Sequence, residues 1–124
     1  MNPKISDFGL ARIFQETVDM ANTQRVVGTL GYMSPEYAMS GVFSEKSDVF
    51  SFGVLIIEIV SGKKNSNFHY YEQNLGLVAY TWQLWSEDEA MGGSYVALEA
   101  IRCIHVGLLC VQDHTTDRPS IWQM

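Results

Sequence analysis

Cysteine is scarce in this sequence: only Cys103 and Cys110 occur among 124 residues. They stand in an apolar segment, so a helix there stacks them on one face with Cα atoms about 10 Å apart. That is too far for a disulfide, and the pair reads as buried thiols of a reducing compartment. Basic charge is scarce too. Eight Lys and Arg stand against fourteen Asp and Glu, giving a net charge of −6 and a pI of about 4.8. With no basic stripe, binding to nucleic acid through phosphates has no electrostatic support. Long apolar runs are missing. The most apolar stretch, Val49 to Val60, is interrupted by Ser51, Gly53 and Glu58 and is too short to cross a bilayer. Asp7 and Gly9 sit where a signal peptide needs an apolar core, so the expected location of the chain as written is cytoplasmic. His69, His105 and His114 lack ligand spacing, and His105 on an apolar face reads as a core residue. Nothing suggests a zinc site or a nucleophilic triad, and no internal repeat or low-complexity run is visible.

What is present is a globular composition, 47% hydrophobic and 18% charged, enough for one core but not two. Residues 2–9 look like a short strand ending at Gly9. Residues 10–31 show no sustained period and form a long polar loop, a length usually reserved for function. Ser34 can cap a short helix with Pro35 in its first turn and Glu36 at its positive end, and Gly41 ends it. A second helix starts near Ser44 or Ser47 and runs to Ser61, with Gly62 as its stop. Its middle is apolar almost all round, so it needs protein on every side. A third helix is expected over 75–85, capped by Asn74, with Leu75, Val78, Trp82 and Trp85 on one face. Gly92-Gly93 breaks the chain. A fourth helix spans about 97–111, with Leu98, Ile101, Ile104, Leu108 and Val111 inward, and Pro119 starts a last one.

Asp7-Phe8-Gly9 is a weak signal alone. It gains force from Gly28-Thr29-Leu30-Gly31-Tyr32-Met33-Ser34-Pro35-Glu36, then Ser47-Asp48-Val49-Phe50-Ser51-Phe52-Gly53, then Asp117-Arg118-Pro119, all in one order. This series resembles the C-terminal lobe of eukaryotic protein kinases from the metal-binding motif onward. The wording Gly31 to Tyr37, Phe43 to Val49 and Arg102 to Gln112 is similar to plant receptor-like serine/threonine kinases of the S-domain and cysteine-rich groups. The implied fold class is mainly α. It is the helical C-terminal lobe of the kinase fold, with a short N-terminal strand and a long activation loop, incomplete. The whole chain, 1–124, would be a partial kinase domain, with the activation segment at 7–36 and the helical lobe at 34–124.

The resemblance implies roles residue by residue. Asp7, with Phe8 and Gly9, belongs to the cofactor site. Asp7 would hold Mg²⁺ against the ATP phosphates, since a hard cation takes carboxylate oxygen. Gly28, Thr29, Gly31 and Tyr32 would form the platform that receives the substrate residue. Thr17, Thr23 and Thr29 are candidate phosphorylation sites, where added charge could order a loop against arginine. Glu36 and Arg118 match the pair that ties the activation segment to the helical core. Asp48 matches the aspartate that opens the central helix and holds the catalytic loop; by its position alone it is a first-turn acid favoured by the helix dipole.

These 124 residues contain no glycine-rich loop, strand lysine, paired helix glutamate or catalytic loop, all of which precede the metal-binding motif in that family. The chain therefore reads as a segment of a longer kinase. The intact protein would use ATP and Mg²⁺ to phosphorylate Ser/Thr of protein substrates in receptor signalling, from a plasma-membrane anchor. The segment alone should bind neither ATP nor Mg²⁺ and transfer no phosphate. The stretch 86–100 is shorter than usual in the family, and the end at Met124 truncates the last helix. The alternative is a non-catalytic module that competes for kinase partners or substrates through the Thr29 platform and the 75–85 helix.

Overall fold

The computed structural model describes residues 2, 4–11, 13, 20–65, 76, 77, 80, 81 and 95–123, with the backbone alone for 95–97. Three helices with described bounds and one two-stranded ribbon carry most of the described part. In chain order they are β1 (Ala21–Asn22), α1 (Pro35–Ser40), β2 (Val42–Phe43), α2 (Glu45–Ser61) and α3 (Tyr95–Cys110). Short 3-10 turns lie at Phe8–Leu10, Thr115–Asp117 and Ile121–Gln123. The architecture is mainly helical, as the motif series implies.

Local chemistry sets the helix ends. Pro35 fixes φ at the start of α1, and Gly41 closes it in the left-handed conformation, φ 67°, its N–H donating to Tyr37 O at 2.9 Å. Ser34 holds the N-cap position, but its side chain makes no capping bond. Ser44 caps α2 fully. Its Oγ accepts from Lys46 N–H and its own N–H donates to Ser47 Oγ, both at 3.1 Å, a reciprocal capping box. Gly62, φ 64°, ends α2. β1 pairs antiparallel with β2, Ala21 opposite Phe43 and Asn22 opposite Val42. Thr23 N–H extends the ladder to Gly41 O at 2.9 Å. The loop at 20–31 is thus stitched to the turn between α1 and α2.

The core is built where α2 crosses α3. A Cβ on Gly53 would lie 2.5 Å from Cys110 Cβ and 2.9 Å from Gly107 O, so only glycine permits the approach. Around the crossing, Val54, Ile57, Leu77, Ile104, Leu108 and Val111 form the buried cluster, with Tyr32, Phe50 and Val60 packed against it. Each such side chain withdrawn from water contributes roughly 1.5–3 kcal/mol.

Several sequence expectations need correction. No strand forms among the described residues of 2–9; the one described ribbon pairs β1 with β2. Cys103, His105 and Leu98 are exposed, because α2 covers only the face of α3 that carries Ile104, Gly107, Leu108 and Cys110; Cys110 is buried. α2, whose composition asks for protein on every side, is left with one apolar face uncovered among these residues, as that composition implies: Phe52, Leu55 and Ile59 are 43%, 46% and 71% exposed. Beyond Pro119 the chain makes a 3-10 turn rather than an α-helix. In the expected third helix, Leu77, Tyr80 and Thr81 are helical, with Leu77 and Thr81 buried. Asn74, Leu75, Val78, Trp82, Trp85 and Gly92-Gly93 lie outside the described residues. No described helix is long and apolar enough to cross a membrane.

Candidate functional site

Residues far apart in sequence line one cavity of about 800 Å³. Asp7 and Phe8 come from the N-terminal turn, Gly28, Thr29 and Tyr32 from the loop, Ser34 from the start of α1, and Asp48 from the first turn of α2. Asp7 sits at φ 62°, the sole non-glycine residue in the left-handed region among the described residues. An aspartate tolerates that region better than most side chains. Its conformation turns the chain into the 3-10 turn Phe8–Leu10, where Phe8 is 67% exposed. Asp48 reaches solvent at the cavity wall. Partial desolvation, and then the Glu45 carboxylate on the same turn, push its carboxyl above the usual range. Among the described residues no cluster of three His, Cys, Asp or Glu could hold a metal. Asp7 is one carboxylate donor, which suits Mg²⁺ held jointly with phosphate oxygens rather than in an all-protein cage.

Gly28, Thr29 and Tyr32 of the segment Gly28–Tyr32 line this cavity. Gly28 has φ 147° and Gly31 φ 99°, and Tyr32 N–H donates to Thr29 O at 3.1 Å. Thr29 is exposed. Tyr32 donates its hydroxyl to Glu58 Oε1 at 2.7 Å. That bond, then burial and the negative charge of Glu58, raise the phenol's pKa and keep it a donor. Tyr32 O accepts from Ser51 Oγ at 2.7 Å. Thr23 sits at the end of β1. Its hydroxyl oxygen accepts from Arg25 N–H at 3.2 Å. Thr17 lies outside the described residues.

Behind the cavity, Arg118 is 2% exposed and every guanidinium N–H is used. Nη1 and Nη2 donate to Glu36 Oε1 and Oε2 at 2.8 and 2.9 Å. Nε donates to Gln112 O at 2.7 Å, and Nη1 and Nη2 also reach Lys46 O and Asp113 O, both at 3.1 Å. The guanidinium lies 5.0 Å from the centre of the Phe50 ring. Lys46 Nζ returns a bond to Arg118 O at 2.5 Å. Ser47 Oγ donates to Glu36 Oε1 at 3.0 Å. Burial, the largest single influence, would raise the Glu36 carboxyl; the Arg118 bonds, together with the Ser34 hydroxyl, its own backbone N–H and Ser47, outweigh it and hold it down at about 2. The Ser34 oxygen lies near this carboxylate without a hydrogen bond of full geometry. α1, α2 and the 112–118 loop are thus tied at one point.

Sequence reasoning missed Tyr37, Glu58 and Asn65. Tyr37 Oη accepts from Val27 N–H and donates to Val27 O, both at 2.9 Å. Asn65 donates its backbone N–H to Glu58 Oε1 and its side-chain Nδ2 to Gly31 O, both at 2.6 Å. The signal for Glu58 was present: it is the one charge inside the apolar run Val49–Val60, and a charge so placed needs a partner.

A sequence model of the protein tyrosine and serine/threonine kinase family matches residues 1–124. The chain is 60% identical over 128 residues to the G-type lectin S-receptor-like serine/threonine-protein kinase SD1-13 of Arabidopsis thaliana, covering 98% of this chain and 15% of that protein. It is 58% identical over 129 residues to cysteine-rich receptor-like protein kinase 25 of the same plant, covering 98% of this chain and 19% of that protein. The chain thus spans less than a fifth of the length of either relative. It belongs to the protein tyrosine and serine/threonine kinase family, and its relatives there are plant receptor-like kinases.

Proposed function

We propose that these residues serve a serine/threonine protein kinase of the receptor-like type as its metal-binding turn, activation segment and substrate-side helical lobe. The observation that carries the reading is the convergence of Asp7, Thr29, Tyr32 and Asp48 on one cavity. In this reading 7–36 is the activation segment, and Asp7 would supply a carboxylate oxygen to Mg²⁺, which when bound supplies charge neutralisation at the ATP phosphates. Phe8 and Gly9 set the turn that aims Asp7. Gly28, Thr29, Gly31 and Tyr32 receive the substrate hydroxyl residue, and Glu36–Arg118 anchors the end of the segment to the helical core. Asp48 faces the place of the catalytic loop. Thr23 and Thr29, with Thr17, are phosphorylation candidates. The longer protein acts on protein substrates at the cytoplasmic face of the plasma membrane.

The same 124 residues taken alone transfer no phosphate, because they contain no nucleotide-binding lysine and no catalytic aspartate in the family's order, and Asp7 alone cannot position ATP. The test is transfer of the γ-phosphate of labelled ATP to a serine/threonine peptide by the longer kinase, with and without Asp7→Ala. Loss of transfer in the variant supports the reading; undiminished transfer removes Asp7 from it.

A further inference from the structure

Gly28–Tyr32 is held at both ends by side chains to which the motif series assigns no role. Upstream, Tyr37 on α1 clamps Val27 twice, through its N–H and its carbonyl, at 2.9 Å each. The Tyr37 ring is itself braced edge-on against Phe43, 6.3 Å between centroids at 83°. Downstream, Asn65 beyond α2 donates Nδ2 to Gly31 O at 2.6 Å, while its backbone N–H shares Glu58 Oε1 with the Tyr32 hydroxyl. Between these two supports the chain is nearly bare: Thr29 is exposed and Leu30 is 76% exposed. Gly28 and Gly31, both at positive φ, supply little stiffness of their own. A short span with flexible glycines and two fixed ends takes its height and tilt from those ends.

We infer that Asn65 and Tyr37 are positioning residues for the substrate-receiving segment. They set where Thr29 and Gly31 present their backbone to an incoming peptide, and touch neither ATP nor metal. Asn65 acts by holding the Gly31 carbonyl inward, so the neighbouring peptide planes keep one orientation. This inference rests on the proposed kinase reading for its substrate, but the clamp itself is independent of that reading.

The experiment uses the full-length protein carrying these residues, with Asn65→Ala, Asn65→Gln and Tyr37→Phe. Amide hydrogen exchange across 28–32 and steady-state phosphorylation of a serine/threonine peptide are read together. Asn65→Ala should speed exchange at 28–32 and raise the peptide KM about tenfold, the scale of one lost hydrogen bond, with the KM for ATP unmoved. Asn65→Gln, which keeps the amide donor, should recover part of the loss. Tyr37→Phe keeps the ring against Phe43, so it carries the test if Asn65→Ala unfolds. Wild-type exchange and wild-type peptide KM in the Asn65→Ala and Tyr37→Phe variants overturn the inference. A wild-type protein that phosphorylates no peptide overturns the kinase reading instead, and exchange at 28–32 then still decides for or against the clamp.

Discussion

Replacing Arg118 by lysine keeps the positive charge and removes the fork. Lysine has three donors on one nitrogen, against five N–H groups in a plane. Arg118 uses all five, two on the Glu36 carboxylate and three on the carbonyls of Gln112, Asp113 and Lys46. Arg118 itself is 2% exposed, and at least two of its five part-buried bonds must go unmade in the variant; each such loss costs about 1–3 kcal/mol. A loss of about 3 kcal/mol follows. Holding the Glu36 carboxyl from 4.5 down to about 2, by Arg118 together with Ser34, its own N–H and Ser47, corresponds to about 3 kcal/mol shared among them. The assay is urea unfolding at pH 7, read by helical circular dichroism. Trimethylamine oxide is present to give wild type and variant a folded baseline. Arg118→Lys should lower the midpoint at unchanged slope by about 3 kcal/mol. In a double-mutant cycle with Glu36→Gln, the two losses should fall well short of adding. A change below about 0.5 kcal/mol, the scale of an exposed ion pair, would refute the reasoning that a buried five-bond fork organises this lobe.

Further outcomes follow from the same structure. Because the folded carboxyl of Glu36 is depressed, its contribution is whole above pH 4.5 and is lost as pH falls towards about 2; Glu36→Gln should flatten the unfolding midpoint across that window. Gly41→Ala places a Cβ 2.1 Å from Thr23 O at φ 67°, so it should break the β1–β2 ribbon and expose residues 20–31 to limited proteolysis, with wild-type resistance arguing against the ribbon. Gly53→Ala should push α2 from α3 and lower stability by about 1–3 kcal/mol, read as a shift in urea midpoint. The uncovered α2 face should make the 124-residue chain bind a hydrophobic dye and self-associate, and Leu55→Lys with Ile59→Lys should suppress both.

What the sequence made legible was local. The ends of α1 and α2 follow from residues that satisfy or terminate a helix within a turn: Pro35, Gly41 and Gly62, read directly, and Ser44 and Ser47, between which the sequence left the start of α2 open and which share one capping box. The Glu36–Arg118 contact spans 82 positions, and only the motif order joined its members. Exposure was not legible. Cys103 and Cys110 share a helical face, yet one is exposed and one buried, because cover depends on where Gly53 of α2 meets Gly107 of α3. Asn65 and Tyr37 escaped notice for a related reason: their partners are backbone atoms of Gly31 and Val27, and backbone acceptors leave no mark in a side-chain pattern.

The decisive assay is γ-phosphate transfer from labelled ATP to a serine/threonine peptide, run on the 124 residues alone and on the longer kinase that carries them. No transfer by the 124 residues, and transfer by the longer chain that disappears with Asp7→Ala, is the expected result. Turnover by the 124 residues alone, itself abolished by Asp7→Ala, would mean that this segment is a catalyst in its own right and that the division of labour drawn from it is wrong.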